Sequence, residues 1–365
     1  MILMNDFKAE PEALRMAELA AAERVLRSGW YVLGNEVKAF EAAWAERCGT
    51  IYSVGVGNGM DAIEIGLRAL GIGQNDEVIT TPMTAFATVL AILRAGATPV
   101  LADIDARTAL LDPASAERCI SPRTKAILLV HLYGQVCEME RWTALCGRHG
   151  IALLEDCAQS HMARWSGRVG GSFGRFGAYS FYPTKNLGGL GDGGAIVMDD
   201  DALAQRAAVL RNYGQSVRYH HPELGLNSRL DELQAALLLV RLEWLEGFTE
   251  RRRQIAAAYH AGIVNSSVQL LAAPSQVQSH VYHLFVVLCE QRDRLVQHLK
   301  AQGVETLVHY PVPVHFQAPC KDMRRDSHGL GIAERHAAQC LSIPCHPQMS
   351  DSNATQVIDA INAFK

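Results

Sequence analysis

Two residues in this chain, Lys185 and Asp156, have the types and spacing for a recognisable chemistry. Lys185 stands in Ser180-Phe-Tyr-Pro-Thr-Lys185-Asn-Leu-Gly-Gly-Leu-Gly-Asp-Gly-Gly194, just after an apolar strand pattern. Asp156 closes another, Leu154-Glu-Asp156-Cys-Ala-Gln159, 29 residues earlier (185 − 156). A lysine amine can condense with an aldehyde, and a carboxylate can keep a pyridine nitrogen protonated so that the ring draws electrons. Pyridoxal phosphate needs both. Taken singly, Lys185 reads as a solvated loop lysine and Asp156 as a strand-end cap; together they are harder to dismiss. Gln159 is close enough in sequence to reach the ring or phenolic oxygen of such a cofactor, although a surface turn amide is an equally ordinary reading of it.

A phosphate needs backbone donors at a helix start. Val56-Gly-Asn-Gly59-Met60-Asp61 supplies two glycines for close approach, then a helix beginning near Met60 whose first N–H groups are free. Alone, this is no more than an Asn/Asp helix cap. Ser180, before the lysine, adds a hydroxyl for the same phosphate.

Other chemistries fit less well. Gly189-x-Gly191-x-x-Gly194 satisfies the dinucleotide fingerprint in form, but it runs into the strand pattern Ala195-Ile-Val-Met198 where that fingerprint must open a helix. His220-His221, His309 and His315 lack the tight spacing of a zinc site, so no metal is expected. A non-catalytic binding or regulatory protein is disfavoured by the intact lysine.

The surrounding pattern is that of an α/β protein. Glu77–Thr81, Pro99–Asp103, Ala126–Leu132 and Ile151–Glu155 read as buried strands, with helices at Thr84–Arg94 and Glu138–His149 between them. Continuous apolar strands separated by helices imply a mostly parallel sheet covered on both faces, with its chemistry at the carboxyl ends of the strands. Met60, Ile63, Leu67 and Leu70 fall at helical spacing before Gly71. A helix over Leu230–Leu245 leads to the basic run Arg251-Arg-Arg253, which reads as a solvated face. Beyond it come a strand at Tyr282–Leu288, a helix at Arg292–Ala301 and a terminal helix from Asn353. The expected division is a large domain over 1–248 and a smaller C-terminal α+β domain over 249–365.

The chain has 365 residues, enough for both domains, and its net charge of −4 gives no electrostatic case for nucleic acid. Nine cysteines form no CxxC pair, which suggests reduced thiols. The opening Met-Ile-Leu-Met-Asn-Asp-Phe-Lys has no basic segment followed by a long apolar one, and no run has membrane-spanning length, so a cytoplasmic protein is expected.

The ordered motifs Ser28-Gly-Trp-Tyr31, Gly57-Asn-Gly-Met-Asp-Ala62, Glu155-Asp-x-Ala-Gln159, Ser180–Gly188, Arg211-Asn-Tyr-Gly214, Asn227-Ser-Arg-Leu-Asp-Glu-x-Gln-Ala235 and His309-Tyr-Pro-Val-Pro-Val-His315 resemble the DegT/DnrJ-type sugar aminotransferases across essentially the whole chain. These are fold-type I pyridoxal phosphate enzymes acting on nucleotide-linked keto-sugars. The resemblance implies Lys185 as the catalytic, cofactor-bonding lysine, Asp156 as partner of the ring nitrogen and Gln159 as a ring contact. It implies phosphate contacts from Gly59, Met60 and Ser180, with Asn227 reaching across from a second subunit of a homodimer, accompanied by Arg211 and Tyr219. Many relatives carry threonine where Met60 stands, leaving only its backbone N–H. Pro82–Thr88 is one residue shorter than the family pattern, so that Phe86 or Ala85 takes the place of the ring-stacking aromatic; Phe86 is the expectation. Substrate contacts are expected from Tyr31, Tyr182, Tyr219, Tyr310 and His315, with His309 equally readable as packing.

The resemblance is nearest to the branch that aminates C3 of dTDP-3-keto-6-deoxyhexoses with L-glutamate as donor, in deoxyamino-sugar biosynthesis. Amination of a 4-keto-sugar nucleotide and a cofactor- or sugar-binding regulator are the alternatives. Dehydration at a sugar carbon typically uses histidine in place of Lys185.

Overall fold

The computed structural model describes all 365 residues. Its centre is a seven-stranded sheet: β1 (Tyr52–Val56), β2 (Glu77–Thr80), β3 (Thr98–Leu101), β4 (Thr124–Val130), β5 (Ala152–Asp156), β6 (Gly177–Ser180) and β7 (Gly194–Met198). Across the sheet they run β1-β7-β6-β5-β4-β2-β3. Only β7 runs against its neighbours, β1 and β6; the other pairings are parallel. The order reverses between β2 and β4, whose onward connections run to β3 and β5 on opposite sides, and ligands bind in such sheets outside the carboxyl ends of the parallel strands, the edge on which β5, β6 and β1 end.

Both faces of the sheet are buried, which is why its strands read as unbroken apolar runs. Along β4, Ile127 and Leu129 enter one core with Ile79 and Val100, while Ala126 and Leu128 enter another with Val78, Leu154 and Ile196. Burying each of the Val, Leu and Ile side chains among these is worth about 1.5–3 kcal/mol. The first four α-helices are α1 (Glu12–Ser28), α2 (Asn35–Cys48), α3 (Gly59–Ala69) and α4 (Phe86–Arg94), of which α3 and α4 begin at the cleft. The sequence reading had no counterpart for α1, α2 or β1. The first turn of α2 is held from far along the chain by Glu232, whose Oε1 accepts from the N–H of Gly34 (2.8 Å) and Val37 (2.9 Å) and whose Oε2 accepts from that of Glu36 (2.9 Å).

Toward the C-terminus β8 (Gln269–Leu270), β9 (Phe285–Leu288) and β10 (Cys340–Ile343) form a small antiparallel sheet. Val287, Leu341 and Ile343 pack there against Leu295, Leu299, Val357 and Ile361 of two flanking helices. The expected division between 248 and 249 falls inside one continuous helix, Leu245–Gly262. Leu245 packs with Phe40 and Trp44, whereas Ile255, Ala256 and Tyr259 pack in the C-terminal core. The first residues also depart from that division. Ile2 enters the C-terminal core, its N–H donates to Gly303 O (2.7 Å), and the N–H of Met4 donates to Glu305 Oε2 (2.7 Å). A single apolar side chain docking 300 residues away leaves no local pattern to read. All nine cysteines are buried and free, and no helix is long and apolar enough to cross a membrane.

Candidate active site

Asp156 ends β5 with its carboxylate buried. Oδ2 accepts from Thr88 Oγ1 (2.8 Å) and Oδ1 from the Ala158 N–H (3.1 Å). Thr88 lies in the first turn of α4 and is paired with Thr84 (2.7 Å), so a short hydroxyl chain approaches the carboxylate from one side. Burial pushes the Asp156 carboxyl up from its ordinary value, against these donors and the Lys185 charge. A desolvated carboxylate with two donors still has lone pairs for a cation.

The neighbouring Glu155 points to the other side of β5 and is wholly enclosed. Its Oε2 accepts from Gly171 N–H (2.7 Å) and meets His131 Nε2 (2.9 Å), while Oε1 accepts from the N–H groups of Phe173 and Gly174 (both 2.8 Å). The backbone N–H of His131 donates to Asp156 O (3.1 Å), and its Nδ1 accepts from Cys137 N–H (3.3 Å). His131, Glu155 and Cys157 bring ligand-type atoms within 4.8 Å of one another. Because backbone amides and the imidazole already fill the Glu155 oxygens, the group works as a brace that fixes the end of β5.

Lys185 follows β6 in a tight turn, its N–H donating to Tyr182 O (2.8 Å). The turn is pinned from three sides: Leu187 N–H to His161 Nδ1 (3.0 Å), Asn186 Nδ2 to Val281 O (3.1 Å) and Gly189 N–H to Phe181 O (2.8 Å). Burial pulls the Lys185 ammonium down to about 8, with Asp156 opposing. That places an appreciable fraction of the amine in its nucleophilic, neutral form near neutral pH. His161 Nε2 has no partner. Burial, with Lys185 adding to it, lowers the His161 imidazole to about 3, so it stays uncharged beside the lysine.

At the end of β1 the chain turns through Gly57 and Asn58 into α3. Asn58 caps the helix, its Oδ1 accepting from Asp61 N–H (2.8 Å), and the amides of Gly59 and Met60 have no acceptor within the chain. A Cβ on Gly59 would lie 2.6 Å from Ser180 Cβ, so only glycine lets the helix start approach β6 this closely. Free amides, a helix N-terminus and the Ser180 hydroxyl thus share one corner, an arrangement that suits a phosphate. Lys185, Asp156 and this corner match the three chemical demands of pyridoxal phosphate: an amine, a carboxylate for the ring nitrogen and a phosphate cradle.

The remaining expected residues are distributed unevenly. Gln159 is buried, its Oε1 accepting from Tyr133 N–H (2.6 Å) and its Nε2 donating to Tyr310 OH (3.2 Å). Tyr133 has a left-handed backbone (φ 61°), and its hydroxyl donates to His309 O (2.6 Å) while meeting His336 Nε2 (2.9 Å). Gln159 and Tyr133 therefore bind the Tyr310 segment to the cleft. His315 departs from the expectation: it is buried against Phe316 with Nε2 on Glu334 (3.0 Å), so it anchors its own segment. Phe86 also departs. It packs against the cluster of Val89, Leu101, Val314, Cys320 and Leu330, about 200° around the helix from Thr88. Ala85, the residue that caps α4, lies over the turn that contains Thr88. Arg211 stays within its own chain, with Nη1 donating to Gly55 O (2.7 Å) and to Glu41 Oε1.

Met60 is half-buried against the core below α3. Tyr31, Tyr182 and Tyr219 are exposed, as is Asn227, although Ser228 beside it accepts from Gly57 N–H (2.9 Å). Thr88, Glu155, His131 and Tyr133 also shape the site and were not among the residues expected from the sequence. Glu155 was visible as the acid beside Asp156, but no pattern distinguished its brace from a solvated strand end.

The DegT/DnrJ/EryC1/StrS aminotransferase family model matches residues 12–362. A dTDP-3-amino-3,4,6-trideoxy-alpha-D-glucose transaminase of Streptomyces venezuelae is 46% identical over 98% of this chain and 95% of its own. A dTDP-3-amino-3,6-dideoxy-alpha-D-galactopyranose transaminase of Aneurinibacillus thermoaerophilus is 44% identical over 94% of each. Among solved structures, S. venezuelae DesV in complex with a ketimine intermediate superposes with a TM-score of 0.94 at 45% identity, over 99% of this chain and 97% of that one. NtdA from Bacillus subtilis, with bound PMP as its cofactor, gives a TM-score of 0.88 at 28% identity, over 97% and 82%. The cofactor of the fold-type I enzyme described here is pyridoxal phosphate.

Proposed function

Because the chain belongs to the DegT/DnrJ/EryC1/StrS aminotransferase family, we propose that it moves an amino group from L-glutamate to C3 of a dTDP-linked 3-keto-6-deoxyhexose. The observation that carries this reading is Lys185, its ammonium lowered by burial, in the cleft with the buried Asp156. The 3-amino products named for the two dTDP-sugar relatives support the choice of carbon and nucleotide.

When bound, pyridoxal phosphate supplies the electron sink for breaking a C–H bond. The protein supplies the rest. Asp156, held by Thr88 and Ala158 and backed by the Glu155–His131 brace, would keep the ring nitrogen protonated. Gly59, Met60 and Ser180 would hold the phosphate. With the cofactor in place, the buried Lys185 amine, its ammonium lowered to about 8, would act as the general base and return the proton as general acid. With Phe86 packed in its own apolar cluster, Ala85 would be the residue nearer the ring. Tyr310, fixed by Gln159, orients the hexose. The amino transfer rests on which ketone carbon lies beside Lys185, since misplacement by about 1 Å can cost on the order of 10²-fold in rate.

The working unit in this reading is a homodimer. Tyr31, Tyr182, Leu190, Tyr213 and Tyr219 are large side chains left exposed, and a second copy would cover such surface and bring Asn227 and Tyr219 to the phosphate and sugar of its partner. A test is incubation with glutamate and each ketone isomer in turn. The 3-amino sugar should form from the 3-keto substrate, and exclusive turnover of a 4-keto substrate would overturn the assignment.

A further inference from the structure

Arg252, in the middle of the Leu245–Gly262 helix, is 5% exposed and has no carboxylate partner. Its Nη1 donates to three backbone carbonyls, Cys345 O (2.7 Å), Tyr282 O (3.3 Å) and His283 O (3.5 Å). Its Nε is sealed from solvent without a partner, and Nη2 makes no hydrogen bond either. The unpaired edge is the Nε–Nη2 fork, the geometry that takes a carboxylate through two parallel bonds. A buried guanidinium held only by carbonyls is an uncompensated charge, and burial lowers its pKa accordingly.

Arg252 lines a small cleft together with Lys185, Asn186, Phe248, His346 and Gln348. The cleft offers about 30 Å³, room for roughly two waters and hence for two carboxylate oxygens, but not for a diphosphate or a hexose. Two acids of the chain, Asp6 and Glu10, also line it, and both are engaged elsewhere. Asp6 Oδ1 accepts from Lys8 and Ala9 N–H (3.1 and 3.2 Å), and Glu10 is paired with Arg241 Nη2 through both oxygens (2.8 and 2.7 Å).

We infer that the Nε–Nη2 edge of Arg252 receives a carboxylate of the amino-acid donor, placing its amino group beside Lys185. The inference rests on the aminotransferase reading above and deepens it. The sugar nucleotide has no such carboxylate, so Arg252 distinguishes the two substrates that take turns at Lys185. Arg252 is a specificity residue for the donor half-reaction and leaves the sugar half-reaction alone.

The test follows cofactor absorbance in the loaded enzyme, first with L-glutamate and separately, in reverse, with the 3-amino-sugar nucleotide. Arg252→Lys keeps a cation for the three carbonyls but loses the fork, and Arg252→Met loses both. For Arg252→Lys, half-saturating glutamate should rise at least about tenfold, equivalent to about 1.4 kcal/mol. The amino-sugar reaction and the melting temperature should stay near wild type. Equal losses in both half-reactions would show a carbonyl clamp alone and overturn the inference, as would unchanged glutamate saturation. A wild-type enzyme that glutamate does not convert would overturn the donor reading and this inference together.

Discussion

Replacing Asp156 by Asn separates charge from shape. The Asn side chain fills the same space, and the Thr84–Thr88 pair can reverse, since either hydroxyl can donate in it, letting Thr88 accept from the new amide. What is lost is the anion. Without cofactor, the wild-type carboxylate is a cost: its folded pKa lies above the unfolded value, so the penalty is absent below the unfolded pKa and fully present once pH exceeds the folded one. Apo Asp156→Asn should therefore melt at or above wild type at pH 8. With cofactor the order should reverse, because removing one partner of a buried ion pair costs about 3–5 kcal/mol. If the same loss appears in the transition state, amino transfer falls by about 10²–10⁴-fold. Differential scanning fluorimetry with and without pyridoxal phosphate, beside single-turnover rates with glutamate, reads both arms. An apo variant clearly less stable than wild type, or a rate within about threefold of it, equivalent to well under 1 kcal/mol, would refute the reasoning.

Three further outcomes are expected. Lys185 has a folded pKa of about 8 against an ordinary 10.5, so burying its charge costs stability below pH 8 and the cost is relieved as pH rises toward 10.5; apo Lys185→Met should be more stable than wild type at pH 7, with the gap closing by pH 10 in urea melts. Glu232→Ala leaves three N–H groups at the start of α2 without an acceptor and should lower the unfolding free energy by about 2–4 kcal/mol in denaturant titrations. In the proposed homodimer, sedimentation should show one species of twice the chain mass, and Asn227→Ala should weaken cofactor binding about tenfold, near 1.4 kcal/mol, while that species persists; a monodisperse, fully active monomer would contradict the dimer.

The elements most legible in the sequence were those whose pattern is local. β2, β4 and β5 lie within or close to the strands expected at 77–81, 126–132 and 151–155, and the helices at 139–149 and 292–301 have nearly the expected bounds. Asp156, Lys185 and the Gly57–Met60 turn were legible because each sits at a strand end beside glycines or caps that announce it. Contacts made by distant partners were not legible. Glu232 holds α2 from nearly 200 residues away, Ile2 docks on the C-terminal core, and Arg252 sits in a run of three arginines that reads as a solvated face. Phe86 and His315 went astray for a related reason. Residue type marked them as suitable, but the direction of the helix turn and a glutamate partner, Glu334, decide where their rings go.

Lys185 is the residue on which the proposed chemistry turns. Borohydride reduction of the pyridoxal phosphate-loaded protein, followed by peptide mapping, should fix the cofactor on the peptide containing Lys185 and on no other, and Lys185→Ala should leave none fixed. Cofactor fixed on a different lysine, or none fixed on the wild-type protein, would contradict it.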